Sequence, residues 1–217
     1  MDGGNMLGVN PWLKIWTKPR ETIRAIVAFN PKYRFLLLSA FYGFPCLLNI
    51  AQASSLGQSW SLLAILVGAL LLSTFVGMIS ISVTSFLILW TGKWIKGTAS
   101  YQEIRTAVAW SNAPNGVNVL IWLGLIAYFG ANIFAADFIQ KVMASNPSTA
   151  LSLLFFLQTI LSVWSIVILI NGIAEVQRFT GWKAFLNVVM ALVIIVLLMW
   201  IIAVVVGAAA GSSLPPS

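Results

Sequence analysis

The chain has 217 residues, of which 60% are hydrophobic and only 8% charged, against about 25% charged in a soluble domain; with a mean hydropathy of +0.96 it belongs to the membrane class. Its net charge of +7 is spread over short segments between apolar runs, not gathered on one basic face, which excludes a nucleic-acid binder. There is no histidine and a single cysteine, Cys46, so His-ligated metals, histidine general bases, Ser-His-Asp triads and an internal disulfide are excluded, and no cofactor is implied.

Residues 1–9 are rich in Gly and Asn and are expected to be disordered. Asn10-Pro11 reads as a helix start, with Asn as N-cap and Pro at the first helical position. Trp12, Ile15 and Trp16 fall on one face. Pro19 restarts the helix, and Ile23, Ile26 and Val27 form a second apolar stripe beside Arg20 and Arg24. This pattern describes an interfacial amphipathic helix lying on the membrane, where each cation near an anionic leaflet contributes up to about 1 kcal/mol. Segment 1–30 therefore reads as an N-terminal cytoplasmic arm.

Asn30-Pro31 repeats the start signal ahead of a first span at about 35–53, in which Gly43 and Pro45 predict a kink. The second apolar run, about 60–91, is roughly 48 Å long at about 1.5 Å per residue. The hydrocarbon core is roughly 30 Å thick, so this helix tilts or projects on the Lys93 side. Along it Ala69, Ser73, Gly77, Ser80 and Thr84 make a stripe of small residues, which predicts close helix packing.

The longest polar interruption runs from Lys93 to Asn118. Burying its charges in lipid at about 2.5–3.5 kcal/mol each excludes a mid-membrane position. Ser100 and Glu103 form a capping box that starts a helix at Tyr101. Its first turns, through Arg105 and Trp110, carry charge and aromatic rings suited to the interface. Pro114 breaks that helix, and the third span follows at about 117–136. Asn112, Asn115 and Asn118 recur every three residues beside the break. They are expected to hydrogen-bond neighbouring helices or interfacial water, or to line a polar membrane-entrance site with Pro114. Asp137 and Lys141 mark the next loop, and Asn146-Pro147 starts a fourth span at about 150–173. Glu175 and Arg178, at i,i+3 spacing, read as a solvated ion pair. The fifth span, about 185–207, carries no charge, and residues 211–217 form a short polar external tail.

The fold class is thus all-α, a polytopic five-span bundle with an N-terminal interfacial helix, residues 31–210 forming one membrane domain. Eleven of the twelve Lys and Arg fall on the N-terminal side of a five-span count, Lys141 being the exception. The positive-inside rule then puts the N-terminus in the cytoplasm and the C-terminus outside.

Three groups of residues resemble the YIP family of membrane-domain proteins, named for interaction with Ypt/Rab GTPases, and in particular its bacterial branch. They are Asn10-Pro11-Trp12 with Pro19, Arg20, Glu21 and Thr22; Ala109, Trp110 and Pro114; and Asn171, Gly172, Ala174, Glu175, Val176, Gln177, Trp182, Lys183 and Ala184. The resemblance covers about 10–207 and implies a five-span protein with a cytoplasmic N-terminus, in a bacterium placed in the inner membrane. Eukaryotic members are associated with vesicle traffic, Rab GTPases and partner YIP proteins. They carry a longer cytosolic segment with a Tyr-Gly-Pro motif, whereas here Tyr42-Gly43-Phe44-Pro45 lies inside a span.

Two functions fit these residues. One is a non-enzymatic scaffold or adaptor whose cytoplasmic face, with Trp12, Trp16, Glu103, Arg105, Trp110, Glu175, Arg178 and Trp182, binds a protein or organises membrane. The alternative is a small-molecule or lipid translocator using the Asn face near Pro114. The partners expected are the anionic cytoplasmic leaflet, a membrane or cytoplasmic protein, and a second copy of the chain in a homo-oligomer, with no nucleic acid. Without histidine or paired carboxylates within a span, catalysis is not expected.

Overall fold

Five helices among the described residues are long and apolar enough to cross a membrane: Phe35–Ala53, Leu62–Trp94, the broken stretch Tyr101–Phe134, Thr149–Val176 and Gly181–Val205. The structure is a computed structural model that describes residues 10–144 and 148–211. The segment 1–9, the Asn146-Pro147 start and the tail beyond Gly211 lie outside the described residues.

In chain order the α-helices are α1 (Pro11–Lys14), α2 (Pro19–Phe29), α3 (Phe35–Ala53), α4 (Leu62–Trp94), α5 (Tyr101–Ser111), α6 (Asn115–Phe129), α7 (Phe138–Ala144), α8 (Thr149–Val176) and α9 (Gly181–Gly211). Short 3-10 turns at Leu56–Gln58 and Gly130–Phe134 pack on each other at the end of the bundle away from α2. The end that carries α1, α2, the α4–α5 loop and the α8–α9 turn holds most of the cations, and is called the basic end below.

Several helix starts follow from side-chain chemistry. The Asn10 carboxamide accepts from the Trp12 amide at 3.1 Å, and Pro11 then occupies the first turn, where a missing N–H costs nothing. Ser61 and Ser148 cap α4 and α8 in the same way. Ser100 and Glu103 form the full capping box, the Glu103 carboxylate accepting from the Ser100 amide at 2.7 Å. Asn30-Pro31 behaves differently from its expected role as a start. The Asn30 side chain accepts from the Lys32 amide at 2.8 Å and Pro31 offers its carbonyl to the Thr106 hydroxyl at 2.7 Å. The dipeptide is therefore a turn docked on α5, and α3 begins only after Arg34 has taken a left-handed conformation.

The small-residue stripe of α4 packs on α3. Ala69, Ser73 and Gly77 are buried there, and the Gly43 and Gly77 backbones lie against the carbonyls of Ser73 and Ser39 respectively. The α4 helix ends at Trp94, beyond the expected 91. Its Trp90 and Trp94 rings meet edge to face at 5.0 Å, both exposed beside Lys93, which is the chemistry of a membrane–water boundary.

Three expectations change. The α5 helix, expected at the interface, is enclosed by α2, α3, α4 and α8, and Ile104, Ala107 and Trp110 have no exposed surface. The small residues Thr106, Ala107 and Ala109 let neighbouring helices approach that part of α5 closely. The third span is shorter as α-helix than 117–136, since α6 stops at Phe129 and Gly130, at φ +59°, turns the chain into a 3-10 segment. Within the expected loop after it, α7 forms with Phe138 and Val142 buried and Asp137 paired to Lys141 at 2.7 Å.

The apolar stripe of α2 is present as the sequence indicates, but it covers protein. Ile23 and Ile26 are fully buried against α5 and α8, which leaves Arg20, Glu21 and Arg24 outward. The interior divides into two apolar clusters. One, around α5, contains Ile23, Ile26, Leu38, Ile88, Trp110 and Ile168; the other, around α6, contains Leu48, Ile65, Trp122, Phe134 and Leu161. The α5–α6 break lies between them.

Candidate functional site

The basic end is built by two helix stops of the same design. In α4 the Gly97 amide reaches back to the Gly92 carbonyl at 2.8 Å, and in α8 the Phe179 amide reaches back to Ala174 at 2.9 Å. The intervening Lys96 and Arg178 take left-handed conformations, φ 66° and 56°, as Schellman stops require. The two stops interlock through Gln177, which is buried. Its carboxamide oxygen accepts from the Ala99 amide at 3.3 Å, and Gly92 and Gly97 leave it no room for a further side chain.

Beneath Gln177 sits Asn187 on α9, with no exposed surface. It donates to the Thr91 hydroxyl at 2.7 Å and to the Ile88 carbonyl at 3.1 Å, and accepts from Gln177 at 3.4 Å. Sequence reasoning overlooked Asn187; the available signal was an amide inside an otherwise apolar run. Replacing it by Leu leaves the Gln177 carboxamide without that acceptor and removes two bonds joining α9 to α4. Asn187→Leu is expected to destabilise the protein by about 1–3 kcal/mol, read as a shift of the denaturation midpoint in micelles; an unchanged midpoint would show the network to be dispensable.

The eight residues expected to form an interaction face are distributed unevenly. Trp12 and Trp110 come together at 4.9 Å, and Tyr33 stacks on Trp110 at 6.1 Å. Trp110 is interior, so as a docking residue it is corrected. Trp12 and Trp16 are half-buried against the same core. Glu103 is occupied as a helix cap. The Arg105 guanidinium lies 4.6 Å from the Phe35 ring centroid and 5.7 Å from that of Tyr101. Glu175 does not pair with Arg178. It accepts from Arg24 on α2 at 2.6 Å, while Arg20 donates to Asn171 at 3.0 Å. The hydrogen bond that Arg24 donates to Glu175 raises the Arg24 pKa above its ordinary value. Arg178 and Trp182 remain exposed, Trp182 stacked on Phe185 at 5.2 Å.

The polar residues at the break sit together but bond mainly to the protein itself. Asn112 donates to the Val108 carbonyl at 2.8 Å, Asn115 donates to Asn112 at 3.1 Å, and Gln158 of α8 donates to Asn118 at 2.9 Å. Pro114 is buried and precedes the first turn of α6. The backbone at the break is closed by turns, Asn112 to Ala109, Ala113 to Trp110 and Asn115 to Asn112, as non-helical backbone at membrane depth must be. Among the described residues no group of three or more His, Cys, Asp or Glu could hold a metal ion.

No curated protein and no solved structure matches the chain. The family model described as the Yip1 domain matches residues 13–203, from α1 through most of α9, so the match includes the α2 clamp, the buried α5 and the interlocked stops together. The chain belongs to the Yip1 domain family.

Proposed function

We propose that this protein is a non-enzymatic membrane scaffold of the bacterial branch of the family, sited in the inner membrane with its N-terminus cytoplasmic, and that its basic end binds a protein partner against an anionic leaflet. One observation carries the reading. The buried Gln177 joins the α4–α5 and α8–α9 connections, and the exposed residues on the two sides of that joint are Lys93, Trp94 and Lys96 on one and Arg178, Trp182 and Lys183 on the other. Exposed Trp beside cations suits both a headgroup layer and an acidic protein surface. The Arg24–Glu175 and Arg20–Asn171 contacts hold α2 to α8 behind this patch, which makes the surface pre-organised. Translocation along the Asn face is the less supported alternative, since no Asp, Glu, Lys or Arg lines the cleft there to couple an ion gradient.

The test is charge reversal. Lys93→Glu with Lys96→Glu, and Arg178→Glu with Lys183→Glu, are expected to abolish recovery of a crosslinked partner from native membranes while the protein remains inserted. Arg24→Ala is expected to release α2, seen as faster hydrogen exchange over Pro19–Phe29, and to weaken partner recovery less than the loop reversals do. Partner recovery indifferent to all the loop reversals would remove the scaffold reading.

A further inference from the structure

Between the two apolar clusters the helices α3 and α8 flank the α5–α6 break without extensive packing on each other. The gap holds two adjoining cavities of about 490 Å³ and 200 Å³, both bordered by Tyr42. Asn49, Asn115 and Asn118 face the larger and Thr84 and Asn112 the smaller. From α8, Ser162 and Ser165 add hydroxyls. The rim at Asn49, Ile50, Ser162 and Ile166 is exposed on the bilayer-facing side of the bundle.

Several of these groups have hydrogen-bonding capacity that the protein leaves unused. Asn49 donates to the Pro45 carbonyl and Asn115 to Asn112, so their carboxamide oxygens are open. Asn118 accepts from Gln158, which leaves its NH₂ open. Thr84 has no hydrogen bond among the described residues. In water such capacity is met at no cost, but at membrane depth each unmet polar group is unfavourable by about 1–3 kcal/mol, so the cleft favours a polar occupant.

We propose that this cleft is a binding site for the uncharged, hydroxyl- and ester-bearing head of a membrane lipid, of the diacylglycerol kind, entering sideways between α3 and α8. The absence of charge in the lining rules against a phosphate headgroup, which would be left without a counter-ion at that depth. The amides at the start of α6 are engaged in turns, so they do not supply an anion site either. Open acceptors on Asn49 and Asn115 and an open donor on Asn118 match a group that both donates and accepts, as a free hydroxyl beside an ester does. The rim among the spans makes the bilayer the source. This inference rests on the cleft and is independent of the scaffold reading.

The experiment uses the full chain in phosphatidylcholine nanodiscs with a trace of diacylglycerol carrying a diazirine near the ester. After irradiation the labelled peptides are mapped by mass spectrometry. Label is expected on the α3 and α8 segments that border the cleft and is expected to be displaced by unlabelled dioleoylglycerol. At subsaturating probe, Thr84→Val is expected to reduce that labelling about fivefold, the equivalent of one hydrogen bond of about 1 kcal/mol, and Asn115→Leu with Asn118→Leu to reduce it further. Thr84→Val settles the matter if the double variant fails to fold. Label spread evenly over α9 and the cleft, or unaffected by Thr84→Val, would overturn the site. Displacement by free glycerol would show a water-borne ligand and overturn the lipid source.

Discussion

Gly77→Val is expected to abolish the folded protein, with Gly43→Val close behind it. A Cβ on Gly77 would lie 1.9 Å from the Ser39 carbonyl oxygen, and a Cβ on Gly43 would lie 1.8 Å from that of Ser73. Both obstacles are backbone atoms of a facing helix, so no rotamer change relieves them and α3 must move away from α4. Overpacking a well-packed core costs about 1–3 kcal/mol when side chains can yield; here they cannot, and the loss should exceed that range. The contact between these helices is the most extensive among the described residues, and lipid competes for every surface they give up. The check is size-exclusion profile and thermal aggregation in detergent, with Gly68→Val as control, because a Cβ at Gly68 meets nothing within 4 Å. A Gly77→Val protein as monodisperse as the control would refute the close approach.

Trp110→Ala is expected to cost about 3–5 kcal/mol, and Trp110→Phe about 1 kcal/mol or less. The ring is fully buried and meets both Trp12 and Tyr33, so truncation empties an interior volume. Its indole N–H, however, has no hydrogen-bond partner among the described residues. Phe keeps most of the ring and deletes that orphan donor, whose desolvation is unfavourable in the native protein by about 1–3 kcal/mol, and the two changes oppose each other. Denaturation followed by circular dichroism separates the pair. If Phe is as damaging as Ala, the N–H has a partner in the membrane and Trp110 is more than a packing residue.

The two variants together also bear on function. A rigid α3–α4 pair and a filled α5 core are what keep the α4–α5 loop at a set distance from the α8–α9 turn. Partner recovery lost in Trp110→Ala but kept in Trp110→Phe would place the role of Trp110 in support of that patch and not in contact with the partner.

Spans were legible along the chain because lipid imposes a one-dimensional rule. Every backbone polar group must bond within its own helix and every charge must lie near an end, so an apolar run of sufficient length can be nothing else. Helix starts at Asn10 and Ser100 were legible for a similar reason, since a cap satisfies amides two or three residues away. The small stripe from Ala69 to Thr84 announced a close contact, although its partner, α3, could not be read from it.

Amphipathicity and charge pairing were not settled at that level. The stripe Ile23, Ile26, Val27 covers an apolar surface equally well whether that surface is lipid or α5 and α8, and periodicity is blind to the difference. Glu175 has a cation three residues away and another on α2. Only the folded positions of the helices make Arg24, at a separation of 151 residues, the one within 2.6 Å. Asn30-Pro31 carries a start signal that its bond to Thr106 converts into a docked turn. What the sequence by itself determined is where the chain crosses and where its helices begin, because those are local demands of lipid and backbone. Tertiary structure alone decided which polar side chains are consumed inside, Gln177, Glu175 and Asn187 among them, and which, at the loops and in the cleft, keep capacity for something else, because that depends on what each one faces.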